Sequence, residues 1–552
     1  MSIKRSASAR MLSGVIVLMV SNIVVKILGL LCKVPLHNIL HDQGMSYFNI
    51  AYSIFTTLYV VSTAGLPTAI AIMISGTQNN AGKKKQTERI FRVAFMLFFV
   101  LGIIGTSVML FFSKQLAAMM GSELSRLCIM AISPTLFFVC LSSAIRGYFQ
   151  GNQHMLPIAI SEVMEAIGKF AIGIALGFYA VSIGKSIEIA AAYAIFGITI
   201  GVAVGMIFLI ISKILYSSSK APQDDLCEQT VELTSHGKIL TQMLSIAAPI
   251  TLSSLALNLT GIIDSFTIIN CMKSFVNAEQ AEIAYGNYST LAVTMSHLPS
   301  AFITPIASSL TPALTAALVA FKASRNAEER KQRHEVVFRV MHSCLKIAAI
   351  IAIPCAIGMS ILAEPILHLL FNDEHSVRQA APLLSILSIA VFFTAMLTIT
   401  TSILQAHRLQ YKPIISMGCG IIVKIIMNNI LISNPAIGVY GAPIGTLTAY
   451  FVMAFINFCF VIKCVGIKPA FIKNFGKPLI AAIMSSLVTI ATYEAIKRAG
   501  YPNIATVISI MATVFIYFVF LFVFQTFTEQ DIKILPKGDW VCEKMKKMHL
   551  LK

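Results

Sequence analysis

Charged side chains are scarce in this chain. Asp, Glu, Lys and Arg make up 12% of its 552 residues, about half of what a soluble domain carries. Acids are the rarer sign, 24 against 42 Lys and Arg. No polar stretch is long enough to build a soluble domain, although the length would allow several. No two cysteines have C-x-x-C spacing, and the histidines show no metal-ligand pattern. Most of the 11 Cys, such as Cys128, Cys140, Cys355 and Cys459, lie inside apolar runs and read as buried thiols, so neither a disulfide framework nor a structural metal is expected. G-x-S-x-G, phosphate-loop and H-E-x-x-H patterns are all missing, so no enzyme is expected. His154 and His407 are loop residues, more often solvated than functional.

What is present is apolar surface: 57% of the residues are hydrophobic and the mean hydropathy is +0.81. The net charge of +18 would suggest nucleic acid in a soluble protein. Here the basic residues sit in short loops between apolar runs, which is a topological signal, and nucleic acid is not an expected partner. The run after Lys4, Arg5 and Arg10 is too long for a signal peptide and carries Lys26, so it reads as a first spanning helix.

A span needs about 20 mostly apolar residues. Candidates lie at 11–33, 46–75, 90–112, 127–148, 158–181, 189–212, 239–264, 288–316, 336–362, 380–405, 412–432, 440–462, 477–497 and 502–525, about fourteen in all. The sequence thus predicts an all-α, polytopic membrane protein. Alternate loops concentrate positive charge: Lys83 to Lys85 with Arg89; Lys322, Arg325, Arg330, Lys331 and Arg333; Arg408 and Lys412; Lys463, Lys468, Lys473 and Lys477. The intervening loops are poorer, which favours an even number of spans with both termini cytoplasmic. The polar stretch 213–238 reads as a cytoplasmic linker. It separates an N-lobe of six spans (1–212) from a C-lobe of six (239–465), followed by two further spans and a basic tail (466–552).

The lobes echo each other. Phe137-Phe138, Gln150 and Lys169 recur at one offset as Phe392-Phe393, Gln405 and Lys424, and Ala194 to Gly197 resembles Ala442 to Gly445. Gly65-Leu66-Pro67 has a counterpart in Leu310-Thr311-Pro312, so Gly65, Pro67 and Pro312 are candidate hinges. The same prolines also read as packing kinks. A parallel repeat of six-helix bundles is a physical basis for alternating access.

A charge at mid-bilayer costs roughly 2.5–3.5 kcal/mol, so such residues usually face a cavity or a partner. Lys26 and Lys33 share one face of the first span; Glu162, Glu165 and Lys169 lie in the fifth; Lys424 lies in the eleventh; Asp264 closes the seventh and Arg146 ends the fourth. Glu165 and Lys169 have the i,i+4 spacing and order that suit an ion pair. Lys33 and Arg146 are equally placed to snorkel to an interface. A cation-lined cavity suits an anionic substrate, above all a diphosphate.

Lys26 to Gly29, Lys33 to Leu36, Gly44 and Ser62 to Pro67, then Arg146-Gly-Tyr-Phe-Gln-Gly151 followed by Pro157, Glu165 and Lys169, resemble the signatures of one family. It is the polysaccharide-transporter branch of the multidrug/oligosaccharidyl-lipid/polysaccharide (MOP) flippase superfamily, near the stage V sporulation protein B and MurJ-type flippases. The likeness runs from the first span to about residue 465, with two extra helices behind it. The resemblance implies two six-helix lobes in a MATE-like V plus two C-terminal helices. It implies a monomeric flippase in the bacterial plasma membrane. Its partners would be membrane lipids and a lipid-linked oligosaccharide, an undecaprenyl-diphosphate saccharide such as lipid II, in cell-wall or spore-cortex synthesis. Substrate-contacting positions would be Lys26, Lys33, Arg146, Glu165, Lys169 and Lys424, and a coupling Na+ or H+, the only cofactor implied, would use Asp264 with Asn428. Lys33 departs from the family's usual Arg and offers a point charge in place of a fork. The alternative is a cation-coupled multidrug exporter of the same fold, which would rely on Glu162, Glu165 and Asp264. A membrane glycosyltransferase is a third reading, but the outer loop 265–287 offers only Glu279 and Glu282 as acids.

Overall fold

The computed structural model describes residues 2–76, 83–219, 235–322, 324, 326–465 and 475–526, and every element among them is helical. The basic tail and residues 220–234 of the expected linker lie outside the described residues; the linker's ends, 213–219 and 236–238, belong to flanking helices. Twelve helices among the described residues are long and apolar enough to cross a membrane. Two of the expected spans take a more detailed form than their hydropathy shows.

First, the spans at 11–33 and 46–75 fall in one helical run, α1 (Ser2–Thr63), continued by α2 (Gly65–Gly76). This run is folded. His41 takes φ 53° and ψ −174° inside α1, and Lys33 Nζ lies 3.2 Å from Asn49 Oδ1. Sixteen residues of straight helix would put those positions about 24 Å apart, so the chain turns back at His41. The break at Ala64 follows from Pro67, whose ring removes one helical donor and crowds the carbonyl four residues earlier. Second, the span at 288–316 is interrupted: a π-helical turn over Tyr288–Val293 and the single turn α10 (Thr294–Ser296) precede α11 (Ser300–Lys322).

Packing divides the chain into two units, Met1–Thr290 and Leu291–Lys552. Unit one holds α1 and α2, α3 (Lys83–Phe111), the short α4 (Ser113–Met119), α5 (Arg126–Gly151), α6 (Leu156–Ser182), α7 (Ile187–Ser219), α8 (His236–Met272) and α9 (Ala278–Asn287). The boundary by packing is not the boundary by repeat, because α8 and α9 are fastened to the earlier helices. Added Cβ atoms at Gly65 and Gly286 would lie 2.2 Å from the carbonyl oxygens of Ala247 and Asp42. Lys273 donates to the Gly121 carbonyl, Asn270 to that of Met119, and the Tyr47 hydroxyl to Glu282.

Unit two holds α10, α11, α12 (Ala327–Ile361), α13 (Ala363–Leu370), α14 (Glu374–Ala406), α15 (Tyr411–Ile432), α16 (Gly441–Phe460), α17 (Lys477–Arg498) and α18 (Pro502–Val523). The Tyr517 hydroxyl pins α18 to the Ile350 carbonyl of α12.

The repeat is visible in the backbone. In unit one α6 and α5 pack on α7; in unit two α15 and α14 pack on α16. Two residues past the end of α5 lies Gln153 at φ 59°, and two past the end of α14 lies Arg408 at φ 62°; Gln525 takes φ 48° in the same place after α18. Each turn is closed by the same bonds, His154 N–H to Phe149 O and Leu409 N–H to Leu404 O, both 2.9 Å. These positions match at the offset that relates Lys169 to Lys424. A left-handed non-glycine residue costs about 1–3 kcal/mol, so its recurrence at one register reflects a shared architecture.

Candidate functional site

Small residues decide how closely α6 and α7 approach. Gly197, Gly201 and Gly205 recur every four residues on α7, and added Cβ atoms would meet Gly173 Cα at 2.4 Å, Glu165 O at 2.9 Å and Glu165 Cγ at 2.6 Å. This is close packing of the small-xxx-small kind. It lays the Glu165 side chain over a glycine, its carboxylate included: Oε1 would lie 3.0 Å from a Cβ on Gly205. Arg146, from the end of α5, forms an ion pair with Glu165 and lies 3.5 Å from Ser161 Oγ. Both members are largely buried, with 12% and 17% of their side chains exposed.

The i,i+4 partnership expected of Glu165 and Lys169 is therefore not the one that forms. A guanidinium delivered by a neighbouring helix can meet a carboxylate as a fork, which a lysine cannot. Lys169 instead places Nζ 4.5 Å from the ring centroid of Tyr52, an attraction worth about 0.5–2 kcal/mol. Glu162, one turn before Glu165, accepts from Ser21 Oγ at 3.4 Å.

The fold of α1 at His41 brings both its halves onto α6. Ser21 and Cys32, from the first half, face Glu162 and the Lys169 carbonyl. Tyr52, from the second, lies under Lys169. Lys33 bonds Asn49 across the fold, and Asn49 Nδ2 donates to Thr290 Oγ1 at 2.7 Å. Lys26 sits seven residues before Lys33 on α1, half-buried. Lys26, Lys33, Arg146 and Lys169 thus gather on three mutually packed helices, α1, α5 and α6, with Glu162 and Glu165 as the carboxylates among them. Cations exceed anions there, and Arg146 already answers Glu165.

Three expected residues lie elsewhere. Asp264, on α8, is buried and accepts from the Tyr288 hydroxyl at 3.0 Å. Lys424 and Asn428 belong to α15 in unit two and are 1% and 0% exposed. A Cβ on Gly445 of α16 would lie 2.1 Å from Asn428 Oδ1. At the equivalent crossing in unit one Gly173 meets Gly197, so the Asn428 carboxamide occupies space that glycine leaves open there. Of the candidate hinges, Gly65 and Pro67 follow the break at Ala64, while Pro312 lies within α11 and its side chain is outside what is described. Among the described residues no three His, Cys, Asp or Glu cluster as a metal site.

Sequence reasoning missed Asn49, Tyr52 and Thr290, and in unit two Asn457. Asn457 accepts from Ser416 at 2.6 Å and donates to Thr400 at 3.3 Å and Thr401 at 3.0 Å. The available signal was an amide inside an apolar run, which must find partners when buried.

A family model described as polysaccharide biosynthesis protein matches residues 11–318, more than half of the chain. The chain belongs to the polysaccharide biosynthesis protein family. A second model, MatE, matches residues 283–430. Stage V sporulation protein B of Bacillus subtilis is 23% identical over 546 residues, covering 96% of this chain and 98% of that protein. Lipid II flippase MurJ of the same species is 23% identical over 504 residues, covering 88% of each. A solved structure of lipid II flippase MurJ, in an inward closed conformation, superposes with a TM-score of 0.60 at 15% identity, covering 92% of this chain and 98% of that one. The chain therefore shares its helical fold with that structure. The site residues fall on its first, fourth and fifth expected spans.

Proposed function

We propose that the chain is a flippase that carries a lipid-linked saccharide from the inner to the outer leaflet of the bacterial plasma membrane. The observation that carries this reading is the cation excess on α1, α5 and α6. Lys26, Lys33 and Lys169 lie at membrane depth, while the carboxylate best placed to neutralise Lys169 is held by Arg146. A diphosphate entering hydrocarbon without counter-charge is excluded. Lysines on packed helices supply that charge, with Lys169 over the Tyr52 ring and Lys33 on the Asn49 amide oxygen. The 23% identity to stage V sporulation protein B and lipid II flippase MurJ points to an undecaprenyl-diphosphate saccharide, in wall or spore-cortex peptidoglycan synthesis.

In the mechanism, the headgroup meets the cations from the cytoplasmic side. The N-lobe (1–212) and C-lobe (239–465) rock, with bending at Gly65 and Pro67, and the prenyl chain stays in lipid. No covalent chemistry is required of the protein. Driving force comes from the membrane potential or from Na+ or H+, with Asp264 the carboxylate that would carry the ion. Both termini are cytoplasmic and one chain suffices.

The test is reconstitution. Vesicles containing the purified chain should move lipid II between leaflets faster than empty vesicles. No acceleration, with lipid II or with other undecaprenyl-diphosphate saccharides, rejects the reading. The match of residues 283–430 to the MatE model favours one rival, export of cationic drugs. That rival requires expression to raise resistance to dyes such as ethidium.

A further inference from the structure

α12 is longer than a bilayer is thick. Its 35 residues span about 52 Å at 1.5 Å each, against about 30 Å of hydrocarbon. The excess lies at its N-terminal end, where Ala327 to Arg339 is largely polar and the apolar stretch begins only afterwards. That end therefore stands at the depth of lipid headgroups, on the side that the loop charges assign to the cytoplasm.

One face of this segment carries His334, Phe338 and His342 at four-residue spacing. Their rings form a ladder that starts on α11: Phe321 to His334 at 5.4 Å, His334 to Phe338 at 5.2 Å, and Phe338 to His342 at 5.6 Å. The ladder borders an open groove of about 490 Å³ lined by His334, Glu335, Phe338, Arg339 and His342. Arg339 is exposed. Arg330 reaches the ladder's other end, 5.5 Å from the Phe321 ring. Arg333 is paired with Glu329 at 2.5 Å, which removes that carboxylate from the neighbourhood. Lys346 follows one turn beyond His342. Glu335 is the one acid in the groove's lining, against a guanidinium and two imidazoles.

We propose that this groove binds the phosphodiester headgroup of an anionic phospholipid of the inner leaflet. Arg339 presents a planar fork that matches phosphate oxygens, and the imidazoles supply ring N–H donors on either side of Phe338. Basic pockets at helix surfaces on the cytoplasmic side hold anionic lipids for this reason. The aromatic ladder favours a lipid over free phosphate. It gives the glycerol and upper acyl chain an apolar wall that an inorganic anion does not need. The proposal is independent of what the chain transports.

The experiment uses the full chain in nanodiscs of phosphatidylcholine, with or without phosphatidylglycerol, and reads bound lipid by native mass spectrometry. Wild type should retain phosphatidylglycerol adducts in preference to phosphatidylcholine. Arg339→Gln should weaken that retention about fivefold, the effect of one interfacial cation. His334→Gln with His342→Gln should weaken it further, and Arg339→Lys should keep most of it. All these side chains line an open groove, and matching thermal unfolding in phosphatidylcholine checks that the variants fold. Equal retention of the two lipids, or full retention by Arg339→Gln, overturns the proposal. Displacement of phosphatidylglycerol by millimolar inorganic phosphate overturns the lipid assignment in favour of a simple anion site. Preferential displacement by undecaprenyl phosphate overturns it in favour of an entry site for a carrier lipid.

Discussion

Removing the Glu165 carboxylate, as Glu165→Gln, should destabilise unit one by about 3–5 kcal/mol, because it leaves the Arg146 guanidinium buried without its counter-ion. Arg146→Gln should cost a similar amount for the mirror reason. With 12% and 17% of the two side chains exposed, water screens the pair only weakly. The double variant, with two amides that can bond each other, should cost much less than the sum of the singles, leaving a coupling of about 2–3 kcal/mol. Lys169→Gln gives the control. Lys169 sits over Tyr52, so its coupling to Glu165→Gln should stay within about 0.5 kcal/mol. The assay is denaturant or thermal unfolding of the purified chain in one detergent, followed by a probe on unit one. Additive costs for Arg146 and Glu165, or a larger coupling of Glu165 with Lys169, would refute the claim that the interhelical pair displaces the local one.

Three further substitutions test the packing. Gly65→Ala pushes a Cβ to 2.2 Å from the Ala247 carbonyl; it should cost about 1–3 kcal/mol, and unchanged unfolding would contradict the close crossing of α2 and α8. Gly205→Ala brings a Cβ to 2.6 Å from Glu165 Cγ, so it should reduce the Arg146–Glu165 coupling measured in the same cycle. Asn457→Ala leaves Ser416, Thr400 and Thr401 short of a shared partner and should destabilise unit two by about 1–3 kcal/mol; a neutral outcome would mean that those hydroxyls find other partners.

Much of the fold was legible because lipid leaves few choices. Apolar length gives the spans, and the alignment of Lys169 with Lys424 gave a repeat that the left-handed turns at Gln153 and Arg408 bear out. Where reading failed, the cause was tertiary. The i,i+4 rule sees Glu165 and Lys169 but cannot see Arg146 arriving from α5. Hydropathy marks 46–75 as one span, while Pro67 divides it at Ala64. Tyr52 and Asn49 look like ordinary residues of an apolar run, and only the hairpin of α1 gives them Lys169 and Lys33 as neighbours. Asn428 drew attention as an ion ligand by analogy, and its close fit against Gly445 is a packing fact that no spacing could have shown.

Lysines on α1 and α6 are held to take up the diphosphate. The most direct measurement is the rate of lipid II movement in vesicles reconstituted with the Lys33→Gln/Lys169→Gln chain, with protein content and unfolding matched to wild type. The account predicts a rate indistinguishable from empty vesicles, with each single variant in between. Movement at the wild-type rate by the double variant would contradict it.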